Sequence, residues 1–112
     1  MIGLKSYGGV ILVIYTKNAY ENKKGYLYIP VIWREEFNIH SGLEVGIDCF
    51  HDSILVIDKT LTREYKQMIS NKGYLTIPYE LRQKLSYDTF QIIIEQKDER
   101  ILLAPKSTVN GF

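Results

Sequence analysis

The sequence predicts a mainly β fold with short helices, of the α+β class, built from two tandem copies of one β-β-α-β-β unit. Three observations predict it. At an offset of 48 residues, Lys24-Gly25-Tyr26-Leu27-Tyr28-Ile29-Pro30 returns as Lys72-Gly73-Tyr74-Leu75-Thr76-Ile77-Pro78, identical at six of seven positions. Each copy carries stretches of period-two apolar alternation, the mark of half-buried strands. Each motif strand also ends in Ile-Pro, and proline stops a ladder because it has no N–H to donate.

The elements follow in the same order in both copies. A first strand spans Val10 to Thr16 in copy one and, less sharply, Thr62 to Ile69 in copy two. Polar stretches, Lys17 to Lys24 and Ser70 to Lys72, lead to Gly25 and Gly73, which can take the positive φ that a reversal needs. Tyr26 to Ile29 and Tyr74 to Ile77 form the second strand. Pro30 and Pro78 then suit the first position of a short helix, where a missing N–H is no loss. Its buried stripe pairs Trp33 with Phe37, and Leu81 with Leu85, both at i,i+4. A hairpin closes each copy. In copy one, Leu43, Val45, Ile47 and Cys49 alternate with Glu44, Gly46, Asp48 and Phe50, and His51-Asp52-Ser53 turns into Ile54 to Ile57. In copy two, Phe90 to Glu95 returns through Gln96 to Glu99 as Arg100 to Leu103.

The copies therefore occupy residues 8–58 and 59–106, with only Asp58, Lys59 and Thr60 at their junction. No flexible linker separates them, and a unit of about fifty residues buries too little surface to stand alone. Two copies sharing one core, in one compact domain, is the expectation.

This pattern resembles the SpoVT/AbrB swapped-hairpin family. The resemblance rests on Gly25 to Phe37 and on Gly73 to Leu85, with Leu75-Thr76-Ile77-Pro78 the closer copy. It extends from about Val10 to Pro105. It implies a small barrel made by two interleaved units, here as a single-chain pseudodimer, and contact with double-stranded DNA through the first two strands and their loop. The family includes transition-state transcription regulators, MazE-type antitoxins and tandem-repeat MraZ regulators. The chain departs from the family where Arg or Gln often follows the motif glycine: Tyr26 and Tyr74 stand there. A DNA contact made by that side chain must come from elsewhere or be absent.

Charge is segregated independently of any resemblance. The formal net charge is only +1, which argues against a general polyanion binder. Yet residues 1–34 carry five basic and one acidic side chain, and residues 59–84 carry six basic and two acidic. Residues 35–58 carry six acidic and no basic ones. Phosphate binding answers to the local patch rather than the total. The candidate DNA-binding residues are Lys17, Lys23, Lys24 and Arg34 in copy one, and Arg63, Lys66, Lys72 and Arg82 in copy two. Tyr15, Tyr20, Tyr26, Tyr28, Tyr65 and Tyr74 are interleaved with them, and tyrosine can bond phosphate or stack on bases. Any one lysine in a turn is ordinarily just solvated, and a strand tyrosine ordinarily packs a sheet. Basic front halves in both copies turn the collective patch toward function.

Chemistry of other kinds finds little footing. His40 and His51 are the only histidines and have no partner at triad or zinc spacing. Cys49, the single cysteine, falls on the apolar side of its strand, and one cysteine makes no internal disulfide. Neither a phosphate-binding glycine loop nor a dinucleotide fingerprint is present. No catalytic residue, metal or cofactor is expected, and the chain is not expected to be an enzyme. The longest apolar run, Val10 to Tyr15, is too short to span a bilayer and lacks a signal-peptide cleavage pattern, so a cytoplasmic protein with no membrane partner is expected.

The leading expectation is thus a DNA-binding transcription regulator. A protein-interaction or assembly module that has lost DNA binding is the alternative, engaging a partner through the acidic segment 35–58. Homo-oligomerisation is left open. An antitoxin is the least favoured, since Lys106 to Phe112 is short for a toxin-wrapping tail.

Overall fold

The computed structural model describes residues 2–5 (backbone only), 13–51 and 53–106. In chain order the elements are β1 (Ile2–Lys5), β2 (Val13–Glu21), β3 (Tyr26–Tyr28), α1 (Val31–Glu36), β4 (Glu44–Phe50) and β5 (Ile54–Asp58). There follow β6 (Tyr65–Met68), β7 (Tyr74–Thr76), α2 (Tyr79–Lys84), β8 (Thr89–Glu95) and β9 (Arg100–Pro105). The fold is mainly β with two short helices.

The strands are antiparallel throughout and form two open sheets. The larger has the order β1-β2-β8-β9-β5-β4-β6, and β3 with β7 makes a separate two-stranded ribbon. Among the described residues of the two copies, the hairpins β4–β5 and β8–β9 pair within a copy, and β1, ahead of copy one, pairs with β2. The first strand of each copy goes to the hairpin of the other: β2 pairs with β8, and β6 with β4. The hairpins meet each other through β5 and β9. At the centre of the ribbon Leu27 stands opposite Leu75, so a pseudo-two-fold axis passes between equivalent leucines. Neither copy has a sheet of its own to keep.

The packing explains the exchange. Leu27, Ile29, Leu75 and Ile77 point inward from the ribbon and join Ile14, Ile47, Leu55, Ile57, Phe90 and Leu103 of the large sheet in one buried cluster drawn from both copies. Burying a side chain of this size stabilises by roughly 1.5–3 kcal/mol, and neither copy can enclose these residues alone.

Several sequence expectations need correction. The first strand of copy one runs on to Glu21, so Lys17 to Tyr20 are strand rather than loop. A bulge between Tyr15 and Ala19 accommodates the polar stretch, and such a bulge leaves extra residues unpaired beside a continuing ladder. Its expected opening residues, Val10, Ile11 and Leu12, lie outside the described residues, as does Asp52 of the first hairpin turn. The first strand of copy two is shorter than expected, Tyr65–Met68, because Leu61 to Glu64 are diverted into a turn around Asp58. Pro30 and Pro78 are the N-caps, with extended ψ of 146° and 140°, one position earlier than expected. Phe37 and Leu81 are buried, whereas Trp33 and Leu85 are only partly buried against the core. Each helix has six residues, far fewer than an isolated helix needs, and so depends on that packing.

Candidate nucleic-acid interface

The site grows from the two glycine turns. Ahead of β3, the N–H groups of Lys24 and Gly25 both donate to Glu21 O, at 3.0 and 3.1 Å. Ahead of β7, Gly73 N donates to Ser70 O at 3.0 Å and Tyr74 N to Ser70 Oγ at 3.0 Å. Both glycines adopt positive φ, 83° and 87°, where a side chain is strained. The turns are tied together across the pseudo-two-fold axis. Ile29 N donates to Gly73 O and Ile77 N to Gly25 O, at 2.9 and 2.8 Å.

Each turn glycine receives an arginine from the other copy. A Cβ built on Gly25 would lie 2.5 Å from Arg82 Cζ, and one on Gly73 would lie 2.6 Å from Arg34 Cζ. The glycines thus serve twice, in backbone conformation and in making room for a guanidinium. The polar contacts of the two arginines differ. Arg82 donates from Nε to Asn22 O and from Nη2 to Lys23 O, both at 3.1 Å. Arg34 donates instead within its own copy, from Nε to Ile29 O at 2.7 Å and from Nη2 to the Tyr28 hydroxyl at 3.1 Å. Its Cζ also sits 5.5 Å from the Tyr28 ring centre, a cation–π distance.

The ribbon buries Leu27 and Leu75 and exposes Tyr26, Tyr28, Tyr74 and Thr76. Tyr74 lies at the middle of the exposed rings, 5.4 Å from both Tyr26 and Tyr28 between centroids. Because β3 and β7 are antiparallel, Lys23 and Lys24 stand at one corner of this aromatic surface and Lys72 at the diagonal one. All three lysines are exposed, and Lys24 has only a loose 3.9 Å pairing with exposed Glu21. Exposed pairs of this kind contribute little.

The eight basic residues singled out from the sequence therefore separate into three groups. Lys23, Lys24 and Lys72 frame the ribbon. Lys17 and Lys66 are exposed on β2 and β6 of the large sheet, the strands that lead into the glycine turns. Arg34, Arg82 and Arg63 are partly buried and engaged internally. Arg63 leaves the expected basic face altogether. It donates to both Asp58 oxygens at 2.8 Å, and to Asp48 Oδ2 at 3.0 Å. Its hydrogen bonds to Asp58, against the cost of burial, raise its pKa above the usual arginine value. Burial of Asp58 opposes its charge, but the bonds from Arg63 and from Thr60 N–H outweigh that and hold the carboxyl below its ordinary range.

That same cluster takes two carboxylates of the acidic segment 35–58 into ion pairs. Asp48 and Asp58 are held by Arg63, and among the described residues Glu35 and Glu36 are exposed at the end of α1 and Glu44 at the start of β4. Cys49 is half-buried against the core, and His51 sits exposed at the hairpin tip with φ of 57°. No helix among the described residues is long and apolar enough to cross a membrane.

Sequence reasoning missed Asn22. Its Nδ2 donates to Arg82 O at 3.0 Å and its Oδ1 accepts from the Tyr20 hydroxyl at 3.0 Å. Burial pushes the Tyr20 hydroxyl up to about 12, against a smaller lowering by Arg82. An Asn two residues after a buried Tyr carries no signal of this role in a single sequence. No family model, curated protein or solved structure matches the chain.

Proposed function

We propose that this chain is a DNA-binding transcription regulator, a single-chain pseudodimer of the swapped-hairpin type, whose β3–β7 ribbon and flanking turns face duplex DNA. One observation carries the reading: exposed lysines stand at diagonal corners of a two-stranded antiparallel ribbon whose outer face is Tyr26, Tyr28, Tyr74 and Thr76. A ribbon of this width suits the major groove of B-DNA, with side chains on one face directed at base edges. Lysines outside its corners are placed for the phosphates on either side, which supply most of the affinity. The exchange of strands between copies and the pseudo-two-fold axis support the family resemblance of the glycine–Ile-Pro motifs. The two corners are unequal, two lysines against one, which favours an asymmetric or imperfectly repeated site.

The test is the salt dependence of duplex binding. Replacing Lys23, Lys24 and Lys72 together with Ala is expected to weaken binding and reduce the log–log salt slope by about two to three. An unchanged slope sinks this face as the interface.

A second reading, a protein-interaction module, is favoured by the exposed Val31, Ile32 and Tyr79 at the starts of the helices. Tyr is common at protein interfaces. Failure of the wild-type protein to shift random duplex DNA at low salt selects this reading.

A further inference from the structure

We infer that Arg82 is a positioning residue for the Lys23–Lys24 corner, acting from the other copy, and that Arg34 has no such role at the Lys72 corner. The inference rests on the proposed duplex-binding function. It starts from the asymmetry between two arginines at equivalent positions.

Arg82 spans the pseudo-two-fold axis with its polar contacts. Its Nε and Nη2 take the carbonyls of Asn22 and Lys23, so two consecutive peptide groups of the turn are oriented by one planar fork. Asn22 Nδ2 returns a bond to Arg82 O, and Asn22 N donates to Asp88 O at 2.8 Å. The turn before β3 is therefore fixed to α2 and to Asp88, the residue just ahead of β8. Those two peptide planes flank Lys23 and set its Cα–Cβ direction; Lys24 shares one of them, and its other plane is held by Gly25 N–H donating to Glu21 O. Two lysines held in this way meet a phosphate pair without first losing backbone freedom, and that lowers the cost of binding.

The turn before β7 has different supports. Arg34 packs over Gly73 but donates its hydrogen bonds to Ile29 O and Tyr28 Oη, both outside that turn. Ser70 closes the turn locally, through its carbonyl to Gly73 N and its hydroxyl to Tyr74 N. From the other copy, Ser41 Oγ donates to Asn71 O at 3.1 Å. Removing the Arg34 fork leaves these bonds in place. Removing the Arg82 fork takes away both side-chain bonds to the Asn22 and Lys23 carbonyls.

The experiment measures duplex binding against salt for wild type, R82K, K23A/K24A and the R82K/K23A/K24A combination. Lysine keeps the charge and loses the fork. R82K is expected to bind about tenfold more weakly with the slope lowered by about one to two. It is expected to add almost nothing once Lys23 and Lys24 are gone, because it acts through them. R34K combined with K72A is expected to show additive losses. Equal effects of R82K with and without the two lysines overturn the inference, as does coupling of R34K to K72A.

Should R82K fail to fold, backbone 15N relaxation on the wild-type chain decides the matter. Residues 22–25 are expected to be more rigid than residues 70–73, and equal or greater mobility overturns the inference. A wild-type chain that does not bind duplex DNA overturns the proposed function itself. That result is distinct from wild-type binding with an unchanged R82K slope, which removes only the role of Arg82.

Discussion

Asp58 accepts both Nε and Nη2 of Arg63 at 2.8 Å, a bidentate pair formed across the junction between the two copies. Asp58 is the last residue of β5 and Arg63 lies two residues before β6. The pair closes the turn that carries the chain from one copy to the next. Thr60 N–H adds a third bond to the same carboxylate at 3.0 Å, and Asp48 on β4 accepts the remaining arm of the guanidinium.

The pair makes stability depend on acid. Asp58 has a lowered pKa in the folded chain, so between its folded and unfolded values the unfolded chain binds more protons. The stabilisation is fully present above the unfolded value of about 3.9 and is lost as pH falls through the lower folded value. Denaturant titration from pH 7 down to pH 2 is expected to show this loss, and D58N is expected to flatten it. R63Q removes one partner of a mostly buried pair and is expected to cost about 3 kcal/mol at pH 7.

At the alkaline end the relevant group is Tyr20. Its pKa is raised to about 12, so the folded chain holds the phenolic proton more tightly than the unfolded one. Stability is fully present below the ordinary value of about 10 and declines as pH rises from there through about 12. Y20F is expected to remove this decline. At neutral pH it forfeits the bond to Asn22, at a cost of about 1 kcal/mol. Ultraviolet difference titration checks the assignment, with the late ionisation step of Tyr20 present in wild type and missing in Y20F.

Gly25 combines a strained backbone position with close approach of Arg82. G25A is expected to destabilise by about 1–3 kcal/mol, from the positive φ and the displaced guanidinium together. Placing G25A in an R82A background separates the two, since only the contact with the guanidinium disappears. A coupling of at least about 0.5 kcal/mol in this double-mutant cycle, read from chemical denaturation, is expected.

Much of the local structure was legible in the sequence. The identical glycine turns, the Ile-Pro strand ends and the alternation of Glu44 to Phe50 each arise from steric or hydrogen-bonding rules that act within a few residues. The extension of β2 through Lys17 to Tyr20 was not legible, since polar residues enter a strand there only because β8 lies alongside and a bulge absorbs the mismatch. Strand β1 is likewise held by its pairing to β2 rather than by a pattern of its own. Of the candidate interface, the exposed lysines were visible from composition alone. The engagement of all three arginines was not, because a guanidinium looks the same in a sequence whether it meets water, phosphate or a carbonyl.

By itself, then, the sequence determined that there are two equivalent units, where each turns, and which halves are basic. These follow from short-range constraints and from counting charge. The tertiary structure alone decided that β2 joins β8 and β6 joins β4, that Arg82 gives its hydrogen bonds to the Lys23 turn while Arg34, packed over Gly73, keeps its hydrogen bonds within its own copy, and that Arg63 is bound to Asp58. The strand pairings and the reach of Arg82 join segments far apart in the chain, and the short-range Arg63–Asp58 pair forms where β4 brings Asp48 to the third arm of the guanidinium. Two nearly identical motifs can then end with different partners, because the residues that complete each one come from the other half.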